Sequence, residues 1–275
     1  LISTTTTAFT LVTLNIDSFK SINDIYGTYI GDQVLKTVSQ AIIAISENKD
    51  LIFRIGGDEF AFIAFYSNPI SQCEKLLNQL SGGYQDLTNQ IRIKVHMGIA
   101  SRGSEALTTD QLLFHASLAL KDGKQHSHQY INSYDTRLHQ QYHRRTQIIN
   151  ALRDELTEES TLKQNLFVVM QPIVERNKDQ WDYFEILSRW LHPEIGFISP
   201  VEFVSAAEQS GLVFEFGQRI ILLACQAKHA VEQQLGYKIR LSINCSADEL
   251  MQADNYVSSV ITILDTFGFH AEEFT

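Results

Sequence analysis

Positive charge is what this chain is short of. Its 275 residues include 22 Lys and Arg against 32 Asp and Glu, a formal net charge of −10. That balance argues against generic nucleic-acid binding, which wants a basic face. Anionic ligands must then be held locally, by a metal or by a few Arg and Lys. Cysteine is scarce too. Cys73, Cys225 and Cys245 are odd in number and far apart, which excludes a disulfide framework and reads as buried thiols of a reducing compartment. No apolar run reaches the ~18 residues a membrane span needs, and no signal-peptide pattern opens the chain. The expected location is cytoplasmic, either outright or as the cytoplasmic part of a membrane-anchored sensor. With Leu1 first and no terminating element before Thr275, the chain reads as a fragment, which leaves room for a sensor or membrane anchor upstream.

What is present is ordinary globular material, 44 % apolar and 20 % charged, enough for one large or two ordinary domains. The most informative stretch is Arg54-Ile55-Gly56-Gly57-Asp58-Glu59-Phe60, set between the apolar runs Leu51-Ile52-Phe53 and Phe60-Ala61-Phe62-Ile63-Ala64-Phe65. It reads as a β-hairpin whose glycines supply the positive φ of a tight turn. Its two adjacent carboxylates at the tip suit a hard cation such as Mg²⁺. The glycines also let a bulky ligand approach the backbone.

Around it, Phe9–Ile16 is a β-rich run and Asp17–Tyr26 has helical spacing. After Gly27 and Gly31, Val34, Leu35, Val38, Ala41, Ile42 and Ile45 mark one apolar helical face. A helix is expected over Ser71–Leu80. Ile91, Ile93, Val95, Met97 and Ile99 alternate as in one half-buried strand, and Thr108-Thr109-Asp110 caps a helix through Leu120. From Thr136 to Ser160 a polar helical stretch connects this part to the next. Strands are then expected at Phe167–Val174, Tyr183–Arg189 and Lys238–Asn244. Helices are expected at Pro200–Ser210, Val213–Leu235 and Ala247–Phe267. That alternation indicates β/α units and a parallel sheet or barrel, with too few strands to close eight.

The run Asp17-Ser18-Phe19-Lys20-Ser21-Ile22-Asn23-Asp24-Ile25-Tyr26-Gly27, then Gly31-Asp32, then the hairpin resembles the GGDEF family of diguanylate cyclases. Three segments of the second half resemble the EAL family of cyclic-di-GMP phosphodiesterases. They are Gln171-Pro172-Ile173-Val174, Glu185-Ile186-Leu187-Ser188-Arg189-Trp190 and Ser242-Ile243-Asn244. The resemblance implies an α/β (α+β) chain in two parts. Residues 1–135 form a GGDEF domain with a central, mainly antiparallel sheet flanked by helices. A linker helix at 136–160 leads to 161–275, the incomplete N-terminal part of a (β/α)8 TIM-like EAL barrel.

For the first domain it implies condensation of two GTP molecules into cyclic-di-GMP, with one GTP per domain and hence a homodimer. Asp58 and Glu59 become the catalytic and metal-binding carboxylates, with Asn15 as a further ligand of Mg²⁺ (or Mn²⁺). Asn23 and Asp32 read the guanine edge. Lys20, Lys121 and Lys124 lie near the phosphates, and Gly56 and Gly57 let the nucleotide approach. For the second domain it implies hydrolysis of cyclic-di-GMP by metal-activated water. Glu185 and Asn244 serve there as metal ligands on adjacent strand ends, Arg189 as a phosphate contact and Gln171 as a wall of the ligand site. No nucleic-acid polymer is expected as a partner, and a membrane only through a missing upstream segment.

Several positions depart from the pattern. Asn15 stands where the first family has an Asp ligand, Thr28 where it has His, and Lys121-Asp122-Gly123-Lys124 is one residue short with Lys for Arg, which loses the bidentate fork. Glu47-Asn48-Lys49-Asp50 does not match the product-inhibition motif. Ile186 replaces the middle Ala of Glu-Ala-Leu and leaves the ligand itself untouched. The expected function is a weakened or degenerate cyclase domain that binds GTP and regulates an EAL phosphodiesterase. Two alternatives stay open, an active cyclase and a non-catalytic nucleotide receptor. His139 with His143, and His126 with His128, could suggest zinc but read as solvated linker histidines. Arg144-Arg145 reads as an exposed linker face, and Phe60, Phe62 and Phe65 as core or strand-pairing residues.

Overall fold

The computed structural model describes residues 9–65, 68–102, 107–125, 129–157, 165–174, 176, 180–251 and 253–275. His126, His128 and residues 158–160 lie outside them. The chain divides into two compact units, 1–141 and 142–275. No described helix is long and apolar enough to cross a membrane.

In the first unit, strand β1 (Phe9–Ile16) is buried along its whole length. Its sequence FTLVTLNI has no exposed face because helices cover both sides. Val12, Leu14 and Ile16 pack with Val34, Val38 and Ile42 of α2 (Thr28–Ile45) and with Leu76 and Leu80 of α3 (Pro69–Leu80). Phe9 and Leu11 pack with Leu112 and Ala116 of α4 (Thr109–Gln125). A short helix α1 (Phe19–Tyr26) precedes α2. The remaining strands are β2 (Ile52–Arg54), β3 (Glu59–Ala64), the small hairpin β4 (Tyr84–Gln85) and β5 (Gln90–Ile91), β6 (Val95–Arg102) and β7 (Ile131–Ser133). The five-stranded sheet runs β2-β3-β1-β6-β7, antiparallel except between β6 and β7. This is the mainly antiparallel, helix-flanked sheet expected.

Three local expectations change. Gly31 lies inside α2 rather than before it, since Gly27 alone makes the joint, at φ 85°. The alternating run at 91–99 is two strands, because the chain changes partner: Ile91 pairs with Tyr84 and Val95 with Ile16. All five apolar residues still face one core. Nor is β6 half-buried, since its first six residues are all covered. Helix α4 starts on a reciprocal cap, with Gln111 N donating to Thr108 Oγ1 (3.2 Å) and Thr108 N to Gln111 Oε1 (2.9 Å). It runs five residues beyond Leu120. Gly98 is what lets α4 lie so close to β6: a Cβ there would sit 2.0 Å from Ala116 O and 2.4 Å from Leu120 N.

The second unit contains β8 (Leu166–Pro172), β9 (Tyr183–His192), β10 (Gly196–Ile198) and β11 (Arg240–Ile243). Its helices are α6 (Pro200–Ser210), α7 (Val213–Leu235), α8 (Ala247–Leu250) and α9 (Ala253–Phe267), and α5 (Thr136–Glu155) leads into it from the first unit. The expected parallel sheet holds for one pair only. β9 runs parallel to β11 but antiparallel to β8 and β10. Strand β10 gave no sequence signal of its own; it forms because β9 continues past Arg189 to His192 and turns back at Gly196, φ 81°. The expected long helix at 247–267 is broken into α8 and α9.

Trp190, Phe203, Ile220, Ala224 and Leu241 form the core between sheet and helices. Arg144 is not part of a solvated linker face: its Nε donates to Glu202 Oε1 at 2.5 Å. Glu202 also closes a capping box with Ser199 at the start of α6. Fully buried Lys228 is held by the carboxylates of Glu232 and Glu273 and by Ile239 O (2.5 Å), with its ammonium 4.7 Å from the Phe269 ring centroid. Of the three thiols, Cys73 and Cys225 are buried as expected, which pushes their pKa values up to about 12 and about 11, whereas Cys245 is exposed.

Two outcomes follow from this packing. Gly98→Ala should lower unfolding free energy by about 1–3 kcal/mol, because a helix backbone rather than a flexible side chain blocks the methyl. A urea midpoint equal to wild type would contradict this account of the α4 contact. The Arg144 guanidinium and the Ser199 donors hold Glu202 at about 2, below the ordinary 4.5. Its stabilisation is therefore full above pH 4.5 and lost as pH falls toward about 2. Glu202→Gln should cost about 1 kcal/mol at pH 7, and the difference from wild type should shrink below pH 4.5 in thermal melts. A difference constant down to pH 2 would exclude the ionic contribution.

Candidate functional site

The β2–β3 hairpin is built from the backbone outward. Ile55 N and Gly56 N both donate to Glu59 O (3.0 and 3.3 Å), and Ile16 N donates to Asp58 O (3.1 Å), which ties the tip to the end of β1. Arg54 folds over the turn, its Nε donating to Gly56 O (3.2 Å) and Nη2 to Gly57 O (2.6 Å). Those bonds leave Asp58 and Glu59 un-neutralised by it. The expected positive φ is absent at Gly56 and Gly57. Gly56 instead leaves room for its neighbour: a Cβ there would lie 3.3 Å from both Cβ and Oε2 of Glu59, a tight contact. Nothing lies within 4 Å of the corresponding position at Gly57, so the backbone is open to approach there.

Asn15, at the penultimate position of β1, pairs across the sheet with Glu59 on one side and His96 on the other. Directly opposed residues project to the same face, so Glu59, Asn15 and His96 form a row. Asn15 is 6 % exposed. Its Oδ1 accepts from Lys124 Nζ at 2.5 Å and its Nδ2 donates to Glu59 Oε1 at a long 3.5 Å. His96 Nδ1 is 2.7 Å from Asp17 Oδ1, and its Nε2 is buried without a hydrogen-bond partner. Ser18, in the left-handed region at φ 53°, makes the corner between Asp17 and α1.

Sequence reasoning missed His96. Its one signal is a polar side chain on the β6 face it shares with Gly98, Ala100 and Arg102, and its position beside Asn15 needs the β1–β6 register. Lys124 reaches the row from the last turn of α4, where Gly123 packs closely on Asn132 and Gln129 O. Asn132 Nδ2 donates to Asp122 Oδ2 at 2.8 Å, fixing that turn. Lys121 in the same turn is exposed.

Asn23, Asp32 and Lys20 lie on the α1–α2 pair. Gly31 leaves room for the Asn23 amide, since a Cβ at Gly31 would fall 1.9 Å from Asn23 Oδ1. Asn23 is thereby held against the first turn of α2 beside exposed Asp32, and Lys20 is exposed. Among the described residues no hydrogen bond or ion pair joins these three to Asp58 or Glu59.

In the second unit, Gln171 on β8 and Ser242 on β11 both pair with Glu185 on β9. Asn244, just past β11, donates through Nδ2 to Glu185 Oε1 at 2.9 Å. Glu185 is the third residue of β9 and does not lie at the strand's C-terminal end, which β9 carries three residues past Arg189 to His192. The structure thus gathers Gln171, Glu185 and Asn244, leaving Glu185 Oε2 and Asn244 Oδ1 as oxygens a cation could share. This donor set fits a hard divalent ion in part. Arg189 shares the Glu185 face of β9 but lies about 13 Å along the strand, with Nη1 donating to Ser188 O at 2.8 Å. A cavity of about 310 Å³ adjoins Arg189, Asn244, Cys245, Glu249 and Tyr256. Burial raises the Tyr256 hydroxyl pKa, and the neighbouring Cys245 adds to the rise.

Comparison with known proteins gives two family matches: residues 2–129 to the model described as "Diguanylate cyclase, GGDEF domain", and residues 149–275 to "EAL domain". The bifunctional diguanylate cyclase/cyclic di-GMP phosphodiesterase MucR of Pseudomonas aeruginosa is 29 % identical over 221 residues, 79 % of this chain and 32 % of that protein. The cyclic di-GMP phosphodiesterase PdeR of Escherichia coli is 28 % identical over 243 residues, 87 % of this chain and 36 % of that protein. The chain thus spans about a third of the length of these relatives. Among solved structures, the GGDEF domain of DgcB from Caulobacter crescentus in complex with c-di-GMP matches at 26 % identity and a TM-score of 0.42, covering 46 % of this chain and 78 % of that one.

The Gly31 contact has a direct readout. Gly31→Ala should displace the Asn23 side chain and shift its amide resonances in a ¹⁵N-correlation spectrum, with little change in melting temperature because the amide is the flexible end. Unshifted Asn23 resonances would refute the packing described.

Proposed function

As a GGDEF domain followed by an EAL domain, the chain belongs to the families of cyclic-di-GMP signalling proteins, and we propose that its first unit binds GTP and regulates a phosphodiesterase in its second. The observation that carries this reading is Asn15, whose oxygen is bonded to Lys124 and whose nitrogen faces Glu59. A neutral amide already engaged at both ends offers little to a catalytic cation. The nucleotide-recognition groups are nonetheless present. Asn23 and Asp32 pair with the donors and acceptor of a guanine edge, Lys20 and Lys121 sit near the phosphates, and the open backbone at Gly57 admits the nucleotide. Asp58 and Glu59 keep the cyclase positions without a carboxylate partner on β1. Condensation needs two GTP-bearing domains to meet, as in a homodimer; binding and regulation do not.

Both families use divalent cations. In the second unit Glu185 and Asn244 would hold Mg²⁺ or Mn²⁺, which when bound lowers the pKa of water and neutralises phosphate charge. Arg189 would pair with a phosphate of cyclic-di-GMP through its planar fork, and Gln171, opposite Glu185, would orient the ligand. For the first unit, the same Asn15–Lys124 contact suits a non-catalytic nucleotide receptor better than a cyclase.

Assays of the full-length protein separate these. Incubated with GTP and Mg²⁺ it should form no cyclic-di-GMP above background, and cyclic-di-GMP should be hydrolysed faster when GTP is present. Robust synthesis from GTP would overturn the weakened-cyclase reading, and absence of hydrolysis under all conditions would leave the receptor. Glu185→Gln should lower the hydrolysis rate by roughly 100-fold or more, the order seen when an essential electrostatic group is removed.

A further inference from the structure

We propose that in the first unit the ammonium of Lys124 stands where a divalent cation would be, so that this unit binds GTP without Mg²⁺. The inference rests on the nucleotide-binding reading above and concerns how that site handles charge. Its basis is one contact, the 2.5 Å bond from Lys124 Nζ, on an exposed residue, to Oδ1 of buried Asn15. The orientation of the amide is fixed by chemistry. Turned over, its NH₂ would face an ammonium, donor against donor, while its oxygen would face the Glu59 carboxylate. Oδ1 therefore belongs to Lys124 and Nδ2 to Glu59 Oε1.

A divalent cation drawn to Asn15 Oδ1 would have to share that oxygen with a positive charge already bonded to it. What remains for it is Asp58, which is partly exposed, and the second oxygen of Glu59. No group of three or more His, Cys, Asp or Glu is gathered to hold a metal ion among the described residues. The donor set therefore does not fit a tightly held Mg²⁺.

The charge change runs in the same direction. With an amide in place of a carboxylate at position 15 the site carries one negative charge fewer to be balanced, and the Lys124 ammonium on the amide oxygen supplies positive charge to a polyphosphate without a metal. Lys124 is suited to this role because its charge sits on a flexible stem from a turn fixed by Asn132 and Asp122.

Isothermal titration of the full chain with GTP, in Mg²⁺ and separately in excess EDTA, tests the idea. The dissociation constant should differ by less than about threefold between the two, short of the tenfold that 1.4 kcal/mol represents. The double substitution Asn15→Asp with Lys124→Met should make binding at least about tenfold tighter in Mg²⁺ than in EDTA. Wild-type binding that is lost in EDTA would overturn the inference and leave nucleotide binding standing; no binding in either buffer would overturn both.

A second measurement does not need the nucleotide. With Glu185→Gln in both arms, Mn²⁺ titration followed by electron paramagnetic resonance should show a bound ion gained on Asn15→Asp with Lys124→Met and none without it. Circular dichroism checks that each variant folds. Equal Mn²⁺ binding in the two arms would also overturn the proposal.

Discussion

Strand β1 is hydrogen-bonded along both edges and covered on both faces, and this double constraint sets everything the first unit can do. Its register with β3 and β6 fixes which residue stands in the row with Glu59 and His96. A slip of one residue would turn Asn15 into the core made by α2 and α3 and bring Leu14 to the site. The price of a strand buried on both sides is that any polar side chain within it must find partners. Asn15 finds Lys124 and Glu59, and Thr13 donates to Gly98 O at 3.4 Å. Packing and electrostatics at the candidate site are therefore one problem. The helix that closes over Gly98 is the helix that delivers Lys124.

The second unit meets a similar demand with opposite means. Lys228 is buried outright and satisfied by two carboxylates, a carbonyl and an aromatic face. Removing one partner from such a network leaves a charge uncompensated, at a cost of roughly 3–5 kcal/mol. In contrast, the Glu185–Asn244 pair is left open on the surface of its sheet. One polar cluster ties helix α7 to the chain that follows β11. The other is available to a ligand.

Local periodicity made much of the fold legible. Phe9–Ile16, Pro200–Ser210 and Val213–Leu235 are observed with the ends expected, because each is bounded by a strong local signal: Asp17 after an unbroken β-rich run, the Ser199–Pro200 start, and Gly211 and Gly236 in left-handed conformations. Errors arose where a residue's neighbours in space outweighed its neighbours in sequence. The run from Ile91 to Ile99 kept its alternation but changed strand partner in the middle. Gly56 and Gly57 looked like residues needed for their backbone freedom, whereas neither has a positive φ and Gly56 packs closely on the Glu59 side chain. Arg144 looked solvated until Glu202, 58 positions away, came beside it.

The sequence by itself determined the two-part organisation, the hairpin with its paired carboxylates, the candidate nucleotide-reading residues, and the presence of an amide at position 15. Those properties depend on residue type and short-range spacing, which survive in one dimension. Only the tertiary structure decided what that amide does. Lys124 is 109 positions from Asn15, and nothing in local pattern says that the last turn of α4 points its ammonium at the end of β1. Strand register, the close approach allowed by Gly98 and the fixed turn at Asp122 set that contact, and each is a property of packed elements rather than of any one segment.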